Sequence, residues 1–265
     1  MNNLALIKKE LWSEEKVINA VLGDKEKTIK FLATAYKVAT SNNLKDCSIA
    51  SIREACVNIA TLNLSLSPAL QQVYLVPYKA KIGGKYTKVV QMIISARGYN
   101  ALLARFGWSL KYFVVREGDK FSYKLENFDE KIEYERNLDS DGKLKYAVAM
   151  AKAPNGELFI EVMNKAQIEK HRKVSPMQGE KPSGVWANWY NEMALKTAVK
   201  KLAKKLPLNE EIAEAVYKDD KEIIPEQEQK IEEQVEQTSL NDLLLEDDEV
   251  EVEETEIKNE GDQNE

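Results

Sequence analysis

Lys196, Lys200, Lys201 and Lys204 recur at helical spacing, with Lys205 at their edge. At about 100° per residue they share one side of a helix, opposite an apolar face of Leu195, Ala198, Val199, Leu202 and Leu206. The rings of Trp186 and Tyr190 fall on the basic side several turns earlier. Ammonium groups that track phosphates beside rings that stack bases are the chemistry of single-stranded nucleic-acid binding. An amphipathic helix with a solvated lysine face gives the same local pattern. A second basic and aromatic run supports the nucleic-acid reading: Tyr74, Tyr78, Lys79, Lys81, Lys85, Tyr86 and Lys88, followed by Arg97, Tyr99 and Arg105. Two such segments suit a positively charged groove. Arg97, Arg105, Lys196, Lys200 and Lys204 are its expected phosphate contacts, and Tyr99 and Trp186 its expected stacking platforms. Tyr74, Tyr78, Lys79, Lys88, Lys201 and the basic pair Arg172 and Lys173 complete the candidate surface.

Other chemistries find less support. Gly84-Lys85-Tyr86-Thr87 resembles the end of a phosphate-binding loop, but Lys79 stands where the first glycine belongs and Tyr86 where Ser or Thr must follow the lysine. It reads as a hairpin turn, so an ATP-driven recombinase or helicase is not expected. The acids of Asp129-Glu-Lys-Ile-Glu-Tyr-Glu135 alternate along a strand. A metal-dependent nuclease needs carboxylates converging from separate elements, and a solvated strand face explains the alternation. His171, the single histidine, has no evident Ser or Cys partner for catalysis. With Cys47 and Cys56 as the only cysteines, it cannot complete a structural zinc site. No cofactor and no metal are expected, and the two thiols fit a reduced, cytoplasmic protein.

Charge divides the chain. From Lys218 to Glu265 there are 4 Lys+Arg against 20 Asp+Glu, a net of −16, whereas Met1 to Tyr217 holds 34 against 24, a net of +10. The overall net of −6 conceals a basic body, and a basic body implies an anionic partner. Residues 1–217 therefore read as one nucleic-acid-binding domain and 218–265 as a disordered acidic tail. Within the tail, Ser239-Leu-Asn-Asp-Leu-Leu-Leu-Glu-Asp-Asp-Glu249 suggests a docking motif; alternatively, the acids mimic DNA and compete for the basic groove. The N-terminus lacks the apolar run of a signal peptide, and no stretch approaches a membrane span.

The elements that must position these residues are legible as an α+β order. The first 66 residues read as helices, one N-capped by Ser13 and another opened by Ser48, with Ile49, Ile52, Cys56 and Ile59 at its core spacing. Val73–Tyr78 and Tyr86–Ile94 form a hairpin around Gly83-Gly84. A short helix, about 97–106, ends at Gly107. Strands follow at about 110–116, 120–125 and 131–136, then a hairpin of 143–152 and 157–163 around Pro154-Asn-Gly156. Helices at 165–172 and from Trp186 to Leu206 close the body, with a short apolar segment at Ile212–Tyr217. Helices segregated from an antiparallel sheet are the expected architecture.

Several of these segments resemble the RecT family of phage recombination proteins. Similar runs are Leu62-Asn-Leu-Ser-Leu-Ser-Pro-Ala69 with Val73-Tyr-Leu-Val-Pro-Tyr78, Gln91-Met-Ile-Ile-Ser-Ala-Arg-Gly-Tyr99, Val114-Val-Arg-Glu-Gly-Asp-Lys-Phe-Ser-Tyr123 and Phe159-Ile-Glu-Val-Met-Asn-Lys165. The closing element from Trp186 through Tyr190-Asn-Glu-Met-Ala-Leu-Lys to Pro207 is also similar. The matches are collinear from about residue 28 to 210. The resemblance implies a non-enzymatic, ATP-independent protein that coats single-stranded DNA, assembles into rings or helical filaments and pairs complementary strands. It further implies a partner 5′→3′ exonuclease, contact with the host single-stranded-DNA-binding protein, and no membrane association. A metal-dependent nuclease of the same recombination system and a non-annealing coating protein remain alternatives.

Overall fold

Apolar residues at three- and four-residue spacing build the N-terminal part of the chain as helices. The computed structural model describes residues 3–220, apart from 83, 128, 140, 176, 177, 208 and 209. It places α1 at Asn3–Ser13, α2 at Glu15–Leu22, α3 at Lys25–Ala39 and α4 at Ile49–Thr61. Ser13 closes α1 rather than capping α2. Its hydroxyl donates to the Glu10 carbonyl at 2.7 Å, and Glu14 occupies the N-cap position. Asp24 supplies the cap that works, its carboxylate accepting the Lys27 N–H at 2.8 Å to open α3. Ile52, Cys56 and Ile59 of α4 are fully buried. Burial pushes the Cys56 thiol up to about 12, so it packs as an apolar group.

The ribbon that follows is longer than its sequence pattern suggests. β1 (Val73–Ile82) and β2 (Lys85–Ile94) pair antiparallel from Val73 opposite Ile94 to Ile82 opposite Lys85. Near the helices its inner face buries Val73, Val90, Met92 and Ile94, and β2 packs on α4. Toward the turn the same face becomes polar, with Lys79 opposite Lys88 and Lys81 opposite Tyr86. Next comes α5 (Ala96–Ala104), capped by Ser95, whose hydroxyl accepts the Gly98 N–H. A β-carbon at Gly98 would lie 2.3 Å from the Gln72 carbonyl oxygen, so only glycine fits this approach of helix to chain.

β3 (Ser109–Arg116), β4 (Lys120–Glu126), β5 (Asp129–Glu135), β6 (Leu144–Lys152) and β7 (Leu158–Asn164) form two sheets. The larger is antiparallel in the order β3-β6-β7, and β4 pairs with β5 as a separate hairpin. Alternation along β6 faces it both ways. Ala147, Ala149 and Ala151 belong to the main core, while Val148 packs with Val115 and Ile160 beneath Phe121, Ile132 and Tyr134 of the hairpin. Tyr134 stacks on Phe113, with centroids 4.4 Å apart, and its hydroxyl donates to the Val114 carbonyl.

α6 (Lys165–Val174) starts in a reciprocal capping box between Asn164 and Gln167. α7 (Gly184–Asn188), α8 (Tyr190–Ala203) and α9 (Glu210–Asp220) complete the described body. The single helix expected from Trp186 to Leu206 is in fact two, broken at Trp189, whose φ of −136° and ψ of 50° are not helical. The small side chains of Ala147, Ala149 and Ala151 let α8 lie close on β6, burying Ala194, Ala198, Val199 and Leu202. The terminal apolar segment is part of α9, which buries Ile212, Ala215 and Val216 and runs past Tyr217 to bury Asp219 as well. The architecture is α+β, as its element order implies. The remaining acidic sequence, 221–265, lies outside the described residues, and with it the Leu-containing segment at 239–249. Among the described residues no helix is long and apolar enough to cross a membrane.

Candidate nucleic-acid interface

The lysines of α8 lie where the helical projection puts them, but two buried carboxylates meet them there. Asp219, on α9, has a side chain only 1% exposed and pairs with Lys200 at 3.0 Å and Lys196 at 3.4 Å. It also accepts the Ile94 N–H at 2.9 Å and the Tyr99 hydroxyl at 3.1 Å. Burial alone would raise the Asp219 pKa. The two ammonium groups and the Ile94 N–H outweigh it and hold the carboxyl below the usual range. Glu161, on β7 beside Ala149 of β6, is likewise buried and pairs with Lys201 at 2.8 Å and with Lys205. Lys204 is exposed at the end of α8. It belongs with Lys170, Lys200 and Lys201 to the ammonium groups around His171. Partial desolvation of the ring, then these charges, lowers the His171 pKa.

Four other expected site residues have structural roles. Tyr99 is fully buried, so no base can stack on it. Arg172 is fully buried and spends its guanidinium on Glu169 and on the carbonyls of Gly179 and Glu180, tying α6 to the following loop. Arg105 donates to the carbonyls of Leu62 and Asn63 and pairs with Glu211 at 2.7 Å, which anchors the end of α4. Trp186 is 4% exposed and packs edge-on against Tyr190 at 5.7 Å. In this structure all four side chains are engaged within the body. Lys173 is exposed but engages Glu180 at 2.9 Å.

The β1–β2 ribbon is different. Lys79, Lys81, Lys85 and Lys88 are all exposed, and among the described residues none has an ion-pair partner. Lys79 and Lys88 are directly opposed, an arrangement that costs stability unless an anion offsets it. Tyr86, opposite Lys81, is 77% exposed, and Tyr74 is 46% exposed further along β1. Tyr78 is half-buried and shares the face of Tyr74, opposite that of Lys79, Lys88 and Tyr86. Arg97, at the start of α5, is exposed and also without an ion pair among the described residues. Cations and rings on an extended ribbon offer the phosphate track and stacking surface that a single strand requires.

The sequence pattern missed Trp189. It is 59% exposed at the break between α7 and α8. On one continuous helix Trp186 and Trp189 would share a side, so spacing alone does not separate the buried ring from the exposed one.

The acidic strand provides no convergent site. Glu135 pairs with Lys120, Glu126 with Lys131, and Glu130 accepts the Tyr123 hydroxyl and the Ile160 N–H. Among the described residues no three His, Cys, Asp or Glu side chains are grouped to hold a metal ion.

Comparison with known proteins supplies a family match independent of this geometry. The model of the RecT family matches residues 30–236. Protein RecT of Escherichia coli (strain K12) is 35% identical over 199 residues, which cover 74% of this chain and 72% of that relative.

Proposed function

The chain belongs to the RecT family, and from that premise we propose that it binds single-stranded DNA along the β1–β2 ribbon and anneals complementary strands without ATP. Membership makes it a DNA recombination and annealing protein in general terms. The observation that carries the finer reading is the opposed pair Lys79 and Lys88, without a carboxylate partner among the described residues and flanked by the exposed ring of Tyr86. Such a ribbon neutralises backbone phosphates from one side and leaves the Watson–Crick edges of the bases free to pair. Annealing needs no covalent step. ATP independence is supported by the setting of Gly84-Lys85-Tyr86-Thr87. Gly84, at φ 80°, closes the hairpin turn into β2, whereas a phosphate-binding loop leads into a helix.

Lys204 and Arg97 extend the basic surface beyond the ribbon, and Trp189 replaces Trp186 as the stacking ring near α8. Each ten-residue strand of the ribbon spans roughly 33 Å. One copy therefore contacts a short stretch of DNA, and a row of copies in a ring or helical filament presents a continuous track. The assembly works in the cytoplasm of a bacterial host, after a 5′→3′ exonuclease has exposed the strand and beside the host single-stranded-DNA-binding protein.

Two complementary, fluorescently labelled oligonucleotides mixed with the protein test this reading, with and without ATP and Mg²⁺. Pairing faster than the protein-free control, with both strands intact and no ATP requirement, is the expected result. Strands shortened only with Mg²⁺, or coated strands that never pair, would overturn it.

A further inference from the structure

We propose that the carboxylate of Asp219 occupies a phosphate-binding site on the body, and that α9 is the latch that holds it there. The inference rests on the single-strand reading above and adds a second anchoring point with its own control. Four donors from three elements converge on Asp219: the Lys196 and Lys200 ammonium groups of α8, the Tyr99 hydroxyl of α5 and the Ile94 N–H of β2. Paired ammonium groups, a hydroxyl and a main-chain N–H are the donors that proteins direct at backbone phosphates. A phosphodiester matches a carboxylate in carrying one negative charge over two terminal oxygens, so it can replace Asp219 without changing the charge of the pocket.

Position supports the exchange. Ile94 and Lys88 lie on the same strand, six residues apart, which is roughly 20 Å. The pocket therefore lies roughly 20 Å from the exposed lysines, at the far end of the part of β2 that packs on α4. The two carboxylates that meet α8 also differ in what carries them. Glu161 sits in β7, laddered to β6, and cannot leave without opening the sheet. Asp219 sits near the end of α9, which pairs with no strand. That helix is held by Ile212, Ala215, Val216 and the Arg105–Glu211 pair, whose side chains are 28% and 38% exposed. It can swing away as a unit, and its release uncovers Lys196 and Lys200 for the strand.

The test uses the full chain and a fluorescein-labelled oligo(dT), with anisotropy read across a salt series and thermal melting of each variant. Asp219→Asn is expected to bind about tenfold tighter at low salt, with a steeper salt dependence, because the buried negative charge that both ammonium groups share is removed. Glu211→Gln, which loosens α9 without touching the pocket, is expected to give a smaller gain of the same sign. Hydrogen exchange on the wild type supplies a readout that no variant can spoil by misfolding. Adding oligo(dT) is expected to deprotect α9. A folded Asp219→Asn that binds equally or more weakly would overturn the latch, as would an α9 that gains protection on DNA. In either case Lys79→Glu/Lys88→Glu would still lose binding, and the ribbon reading would stand. A wild-type chain that fails to bind oligo(dT) would remove both.

Discussion

The ribbon and helix α8 carry comparable numbers of lysines and differ in what surrounds them. On β1–β2 the ammonium groups of Lys79, Lys81, Lys85 and Lys88 face solvent, and two of them face each other. On α8, Lys196 and Lys200 meet Asp219, and Lys201 meets Glu161, both carboxylates being buried. A charge offered to solvent is available to an anionic ligand. A charge that neutralises a buried carboxylate is part of the fold until something replaces that carboxylate. Projecting lysines onto a helix identifies a basic face but does not distinguish these two states.

The contrast can be broken most forcefully on the ribbon. Lys79→Glu/Lys88→Glu removes two phosphate contacts. At about 50 mM salt the slope of about −0.7 per phosphate makes each worth about tenfold, so single-strand affinity should fall about 100-fold. The salt slope should become shallower by about 1.4, while circular dichroism stays unchanged. Unchanged affinity would mean that the ribbon is not the track.

The matching change beneath α8 is Glu161→Gln, which leaves Lys201 and Lys205 without their buried anion. It should cost about 2 kcal/mol of stability in urea unfolding, since both lysine heads retain some access to water. It should not weaken DNA binding at temperatures where the variant is folded. A large loss of affinity without a loss of stability would place Glu161 in the interface rather than the core.

Trp189→Ala sharpens the comparison at the head of α8. An exposed stacking ring is worth about 1–2 kcal/mol in single-strand affinity and leaves stability within about 0.5 kcal/mol. Trp186→Ala should do the reverse, because its ring is buried. Reversed outcomes would restore Trp186 as the platform.

The smallest effect concerns His171. Its pKa lies below 6.5 in the folded chain, so the unfolded chain binds its proton at higher pH. The stability this provides is present above about pH 6.5 and is lost as pH falls through the lower, folded value. His171→Gln should therefore flatten the slope of stability against pH just below 6.5, as read by chemical denaturation. A slope unchanged by the substitution would show that burial and the neighbouring lysines do not lower the pKa of this ring.

What was legible in the sequence was local. The turn of the ribbon at Gly84 and the apolar spacing of α4 act between neighbours in the chain, and both carried into the structure. What was not legible involves partners that are distant in sequence. Arg105 meets Glu211 across 106 residues, and Tyr99 meets Asp219 across 120. Nothing near either residue signals those partners, so a cation and a ring that looked solvent-facing turned out to be anchors. Arg172 is a different case, since its acceptors include the Gly179 and Glu180 carbonyls of a loop whose path no periodicity predicts.

The most direct test of where the strand runs is photocrosslinking of the full chain to a 5-bromouracil-substituted single strand, with adducts mapped to individual residues. The ribbon account places an adduct on Tyr86, which shares the face of Lys79 and Lys88, with a further adduct on Trp189. Adducts confined to α1, α2 and α3 or to the β4–β5 hairpin, with none on β1 or β2, would contradict it.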